Sequence, residues 1–244
     1  MKPLRVTVAM PVFNASEWVA DAVESVLAQD FDGFELIVVD DGSTDGSCDR
    51  VRPYVRDPRV RLSRNDENLG SGVTRNRILE MARGSCLVPC DADDLLLPGA
   101  LRHLSRFLDR HAEVGAVYGD ILVLEAGPAG LEGPPKVVGR DANLVWDLYE
   151  NVVNHGGSMM RTELMRQVGG YACGPVPDDR GLFLKLAETT RIRYLAGRLT
   201  YVWRRHPGSQ SRRPQDPAAL QRMIEQAVDR RRRGSTAGAN GEGE

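Results

Sequence analysis

Asp91, Asp93 and Asp94 put three carboxylates within four positions, directly after the apolar stretch Cys86 to Pro89. Alternate residues of a strand share a face, so Asp91 and Asp93 are expected to point the same way as the chain leaves a sheet. Like charges at this spacing resist joint ionisation unless a cation neutralises them. Magnesium or manganese takes oxygen ligands and keeps part of its shell for water and phosphate oxygens, so the pair is half of a site that a diphosphate would complete. The same residues admit a structural reading, in which Asp93 or Asp94 caps a helix that begins near Pro98. Two more acidic turns, Asp40-Asp41 and Asp178-Asp179, accompany the cluster. The glycine-bearing loop Asn65 to Gly72 opens a helix carrying Arg75, so free backbone N–H groups and a cation could face an anion there.

The elements that position these groups follow from apolar patterning. Val6 to Pro11 and Phe34 to Val39 are continuous apolar runs, as expected of strands covered on both faces. Between them, Asn14 to Glu17 start a helix on which Val19, Ala22, Val23, Val26 and Leu27 recur at helical spacing. Ser47 to Val55 reads as a helix, Val60 to Leu62 as a short strand, Thr74 to Arg83 as a helix, and Cys86 to Pro89 as a fourth strand. Strand and helix in alternation predict a doubly wound sheet, whose ligands bind at the carboxyl ends of the strands. Asp40-Asp41, the glycine-bearing loop and Asp91 to Asp94 are all expected on that one rim. Further on, Gly115 to Leu124 reads as a strand, Glu125 to Gly139 as a flexible Gly/Pro-rich excursion, and Asn154 to Arg161 as a strand. Thr162 to Val168 and Gly181 to Glu188 read as helices, Ile192 to Trp203 as a strand, and Pro217 to Val228 as a last helix before a disordered tail.

With 244 residues, 41% hydrophobic and 27% charged, the chain is long enough for a large core. A net charge of -2 gives no general attraction to nucleic acid, which is excluded as a partner. Cys48, Cys86, Cys90 and Cys173 lack paired zinc spacing, so reduced thiols in a cytoplasmic protein are expected. No apolar stretch approaches the roughly 20 residues of a spanning helix, and the opening residues lead directly into a strand. Arg230 to Arg233 could touch anionic lipid at the inner membrane face, or form a solvated helix end.

Taken in order, the motifs resemble the inverting nucleotide-sugar glycosyltransferases of family 2. They are Met10-Pro11-Val12-Phe13-Asn14, Asp40 to Asp45, Asn68-Leu69-Gly70 through Arg75-Asn76, Asp91 to Asp94, Gly156 to Tyr171, Asp178-Asp179, and Arg205 to Ser209. The resemblance implies the α/β GT-A fold, a single Rossmann-like domain with a mixed, mostly parallel sheet flanked by helices. It would span residues 1–215, with a nucleotide-sugar half (1–111) and an acceptor half (112–215), ahead of a C-terminal helix and tail (216–244). It further implies that Pro11 and Phe13 line a base and that Asp41 accepts a hydrogen bond from a uracil-like edge. Gly72 and Arg75 would face the donor. Asp91 would hold the ribose or share the metal, Asp93 would be the principal ligand for Mn2+ or Mg2+, and His206 a further one. Asp179 would be the general base that takes a proton from an acceptor hydroxyl on a saccharide, a lipid-linked sugar or another molecule; its structural alternative is a helix cap.

Two positions depart from the family pattern, Gly181 where a second acid is frequent and Lys185 where arginine is. No motif names the sugar or the oligomeric state. The rival readings are a non-catalytic nucleotide-sugar binder on the same fold and a sugar nucleotidyltransferase. The latter is disfavoured because Val12 to Glu17 carries no cation for a triphosphate.

Overall fold

The computed structural model describes residues 5–127, 130–131, 133–140, 153–173 and 178–209, with scattered positions between 216 and 229. Its first half is four parallel strands: β1 (Val6–Val12), β2 (Phe34–Asp40), β3 (Val60–Arg64) and β4 (Cys86–Pro89). They lie in the order β3-β2-β1-β4, with Val8 opposite Leu36 on one side and Val88 on the other. Every residue of β2 is buried, which explains its unbroken apolar run. Its side chains divide by the strand period of two. Phe34, Leu36 and Val38 enter one core with Val6, Val8 and Met10, while Ile37 and Val39 enter a second core on the opposite face with Ala9.

Helices cover both faces. α1 (Val19–Leu27) buries Val19, Ala22, Val23 and Val26 in the first core, and α4 (Ala100–Arg110) adds Leu101, Leu104 and Leu108. α2 (Ser47–Val51) gives way at Pro53 to a 3-10 turn, Arg52–Arg56, because proline cannot supply the next helical N–H. α3 (Ser71–Met81) packs on the second face through Ile78 and Leu79, beginning three residues before its expected start.

The sheet continues without a break into the second half. β4 pairs antiparallel with β9 (Met159–Arg161), β9 with β6 (Val114–Gly127), β6 in parallel with β10 (Arg191–Arg205), and β10 antiparallel with β5 (Leu95–Leu96). The sheet is therefore mixed and mostly parallel, as expected. α5 (Thr162–Gln167) and α6 (Asp178–Thr189) pack on the second core through Met165, Leu182 and Leu186.

Several expectations need correction. Glu125 to Gly139 is not simply a loop: β6 runs on to Gly127, pairs with β7 (Gly130–Leu131), and binds β8 (Lys136–Val138) along Ile121 to Val123. Asn154 to Ser158 is irregular, and only Met159 to Arg161 is strand, because two glycines turn the chain beforehand. Asn14 does not cap α1, and Thr162 is a helical residue whose hydroxyl donates to the Gly84 carbonyl at 2.7 Å. Described positions between 218 and 229 are helical, and Ala219 and Ala227 are buried there. Arg230 to Arg233 and the expected disordered tail lie outside the described residues. No helix among the described residues is long and apolar enough to cross a membrane. The cysteines are free, with Cys48, Cys86 and Cys90 buried.

Candidate functional site

The carboxyl ends of β1 to β4 gather their turns into one rim, and the first two turns are stitched together by backbone-directed side chains. Asn14, held in the left-handed region at φ 49°, accepts the Thr44 N–H at 2.9 Å and donates its own N–H to Ser43 Oγ at 3.0 Å. Asp45 accepts the N–H groups of Ser16 and Ser47. Burial opposes its ionisation, yet hydrogen bonds from Ser47 and Ser16 hold its carboxyl down at about 2. Asp41 points into the loop that precedes α3: Oδ1 accepts from Asn65 Nδ2 (2.6 Å) and the Leu69 N–H (3.0 Å), and Oδ2 from the Gly70 N–H (2.9 Å). Gly42, at φ 74°, permits that approach, since a Cβ there would lie 2.7 Å from the carbonyl carbon of Glu67.

The turn after β4 is built differently. Asp91 is fixed by its backbone N–H, which donates to the Tyr201 hydroxyl at 2.9 Å, and its carboxylate pairs with Arg75 at 2.5 Å. Asp93 Oδ2 lies 3.1 Å from His206 Nε2. Asp94 is buried and accepts the Arg204 N–H at 2.7 Å. Burial and the charge of Asp91 push the Asp93 carboxyl above the usual range, against the pull of His206. Burial and the charges of Asp93 and Asp91 push Asp94 well above it. None of the three caps α4, whose N-terminus is Gly99 at φ 79° with no side-chain cap. The helix-capping reading of the cluster therefore fails.

Pro11, Phe13, Asp41, Arg75, Asp91, Asp93 and His206 line one cleft of about 400 Å³, within the range of ligand sites. Trp18, Asn68, Ser71, Asp94 and Trp203 are also among its wall residues. Gly72 is absent from the lining. A Cβ on it would meet the Ala172 carbonyl oxygen at 2.4 Å, so its lack of a side chain serves close packing against the 171–173 segment. Asp179 is also outside the lining. It stands in the first turn of α6, where its Oδ1 accepts the Arg180 N–H at 2.7 Å.

Its neighbour Asp178 makes the connection to the cleft. Arg75, buried, forms ion pairs with both Asp91 and Asp178 and lies 5.8 Å from the Tyr171 ring centroid. Burial alone would raise the Asp178 carboxyl, but Arg75 and His155 outweigh it and hold the group below its ordinary value. Behind Arg75, His155 shares a hydrogen bond with the Tyr171 hydroxyl at 3.1 Å, and burial together with Arg75 keeps the imidazole below its ordinary value. Gly181, where the resemblance leads one to expect an acid, faces Ala172: a Cβ would stand 2.8 Å from that methyl. Lys185 donates to the Gly170 carbonyl at 2.8 Å.

The expected ligand set of Asp91, Asp93 and His206 does not close. Asp91 is turned to Arg75, and among the described residues no three His, Cys, Asp or Glu side chains gather to hold an ion by themselves. Asp93 and His206 remain as an oxygen and nitrogen donor pair. They fit a divalent ion that keeps its other positions for water and phosphate oxygens, and a cation there would offset the burial and the Asp91 charge that raise the Asp93 carboxyl.

Sequence reasoning missed Trp18, Tyr201 and the His155–Tyr171 pair. One signal was available for Tyr201. Gly156 and Gly157 leave room for its side chain: a Cβ on Gly156 would fall 2.2 Å from the ring and one on Gly157 2.7 Å from the Tyr201 Cβ.

A family model described as "Glycosyl transferase family 2" matches residues 7–169. A protein of Sinorhizobium fredii called "Uncharacterized protein y4gI" is 30% identical over 210 residues, covering 84% of this chain and 23% of its own length. The chain spans between 23% and 60% of the length of the first curated relatives it matches. Among solved structures, S. aureus TarS 1-349 in complex with UDP-GlcNAc is similar with a TM-score of 0.74 at 22% identity, over 92% of this chain and 66% of that one. The mannosyltransferase PcManGT from Pyrobaculum calidifontis, in complex with GDP-Man and Mn2+, gives a TM-score of 0.66 at 21% identity, over 100% and 77%.

Proposed function

The chain belongs to glycosyl transferase family 2, and from that premise we propose that it moves a sugar from a nucleotide diphosphate donor to an acceptor hydroxyl with inversion. The observation that carries this reading is the single cleft in which Pro11, Phe13, Asp41, Arg75, Asp91, Asp93 and His206 converge. A UDP-sugar is the favoured donor, in keeping with the UDP-GlcNAc bound by TarS.

Pro11 and Phe13 offer an apolar wall for a base. The three hydrogen bonds already made by Asp41 leave one of a carboxylate's roughly four acceptor sites for the imide of uracil. α3 starts at Ser71 with no side-chain cap, so its first-turn N–H groups and the wall residue Ser71 suit a phosphate. Asp93 and His206 would hold Mn2+ or Mg2+, which when bound offsets charge developing on the departing diphosphate.

The base is assigned to Asp179. Both oxygens of Asp178 are engaged, Oδ2 by Arg75 and Oδ1 by the Asp179 N–H at 3.0 Å, and its carboxyl is held low, which disfavours it as a proton acceptor. Arg75, gripping Asp91 and Asp178 at once, sets the distance between the donor cleft and the helix that presents the base. Asp179→Asn should keep donor binding and reduce transfer by roughly 10²–10⁴-fold, the range for loss of general-base catalysis. Donor titration and initial rates of sugar transfer measure the two. Transfer at the parent rate would remove Asp179 from the mechanism, and donor binding without transfer by the parent chain would favour the non-catalytic binder.

A further inference from the structure

Trp18 stands where α1 begins and forms part of the cleft wall. Its indole is stacked on the His206 imidazole, with ring centroids 5.4 Å apart and planes inclined by 28°. The Arg204 guanidinium lies 4.9 Å from the same indole centroid. These two neighbours hold two members of the acidic cluster, Asp93 and Asp94. His206 Nε2 faces the Asp93 carboxylate at 3.1 Å, the Arg204 N–H donates to Asp94 at 2.7 Å, and Arg204 Nε donates to the Asp93 carbonyl at 2.5 Å. Asp21, on the first turn of α1, adds an ion pair to Arg204 at 3.2 Å. The start of α1 thus grips the end of β10 at the point where β10 delivers both partners of the cluster.

An imidazole held by one polar contact can turn about its ring bond, whereas one laid against an indole has its plane fixed. A planar guanidinium is held by an aromatic face in the same way. Side chains that orient a ligand residue tune its affinity without touching the ligand. We propose that Trp18 is a positioning residue: by stacking on His206, which faces the Asp93 carboxylate, and on the Arg204 guanidinium, which holds the Asp93 carbonyl, it sets the orientation of the Asp93–His206 pair toward a divalent ion and the diphosphate it accompanies. This role rests on the donor reading above and adds to it a residue that the acidic motif does not contain.

The test compares Trp18→Leu, which keeps apolar bulk and loses the ring face, with Trp18→Phe, which keeps a face. Binding of UDP and of GDP in the presence of Mn2+ is followed by calorimetry, bound Mn2+ by electron paramagnetic resonance, and the His206 ring protons by NMR of histidine-labelled full-length chain. The expected result is a loss of Mn2+-nucleotide affinity of roughly tenfold in Trp18→Leu, the lower end for a residue supporting a ligand, with Trp18→Phe within about threefold of the parent. The His206 ring signals should move downfield in the Leu variant as the indole ring current is lost. Equal affinity in the Leu variant and the parent overturns the role, as does an equal loss in the Leu and Phe variants, which would make size rather than the ring face decisive. If Trp18→Leu does not fold, Trp18→Met takes its place under the same criteria. Failure of the parent chain itself to bind either nucleotide with Mn2+ overturns the donor reading and this role together, a result recognisable because no variant is needed to obtain it.

Discussion

Two acidic turns face the same cleft and are built in opposite ways. After β2, the Asp41 carboxylate receives one side-chain and two backbone N–H donors. After β4, three carboxylates crowd together with fewer donors, and burial combined with mutual repulsion lifts Asp93 and Asp94 above the ordinary range. A satisfied buried carboxylate is architecture, because its hydrogen bonds fix the loop around it. A crowded and under-compensated group lowers stability and persists where an incoming cation or ligand completes it. The contrast therefore separates an acid whose acceptor sites are mostly filled by the fold from acids that an incoming cation could complete.

The contrast is tested most severely at Asp93. Asp93→Asn removes the charge that faces His206 and keeps the shape, so the fold should survive while transfer falls on the order of 10²–10³-fold, the scale for loss of one preorganised electrostatic group. Far-UV circular dichroism and initial rates at saturating Mn2+ check the two halves of the statement. Parent-like transfer would mean that the β4 turn is as architectural as the β2 turn.

The opposite outcome is expected at Asp41. Asp41→Ala leaves the Leu69 N–H without an acceptor and takes one of two acceptors from the Gly70 N–H, which keeps Asn68 Oδ1 at 3.0 Å, and from the Asn65 amide, which keeps Thr74 Oγ1 at 3.1 Å. Partly buried donors of this kind cost about 1–3 kcal/mol each when left unsatisfied, and water entering the emptied space recovers part of that. A net loss of about 1–2 kcal/mol is expected, or about 2–8 °C in Tm for a chain of this size. Donor affinity should fall with it, because the 68–71 loop forms part of the cleft wall. Thermal melting of the nucleotide-free chain reads the effect. An unchanged Tm would erase the distinction between the turns.

The same contrast explains what was legible in the sequence. The β1 to β4 half announced itself because β1, β2 and β4 are covered on both faces and the loops carry acids, glycines and hydroxyls in short runs. The convergence of Asp40-Asp41, the 65–72 loop and Asp91 to Asp94 on one rim follows from parallel strands alone. Whether a carboxylate there is satisfied or crowded does not, since Asp41 and Asp93 look alike in a string of letters and differ only in which N–H groups reach them. Long-range partners were equally invisible: Arg75 meets Asp178 across 103 positions, and Trp18 meets His206 across nearly the length of the fold. Glu125 to Gly139 misled because its glycines and prolines signal turns locally. Backbone pairing of Lys136–Val138 with β6 nevertheless recovers the strand.

The finest test concerns Asp94, the most deeply buried acid of the cluster. Its folded pKa is raised above the unfolded value of about 3.9, so it contributes stability that is fully present below that pH and is lost as pH rises through the folded pKa. At neutral pH, above the unfolded value, the acid is a net cost to the unliganded chain. Asp94→Asn removes that cost and keeps an oxygen for the Arg204 N–H, while the Tyr201 hydroxyl, which already accepts the Asp91 N–H, can rotate to meet the new amide. Each unit by which folding raises the pKa is worth about 1.4 kcal/mol. A gain on the order of 1 kcal/mol, about 2–4 °C in Tm, is therefore expected in EDTA at pH 8, shrinking toward zero as pH falls to 4. A gain independent of pH, or a loss at pH 8, would mean that Asp94 resembles Asp41 and not Asp93. Mn2+ with UDP should reverse the order, stabilising the parent more than the variant, because the charge that burdens the unliganded fold is the charge that a bound cation offsets.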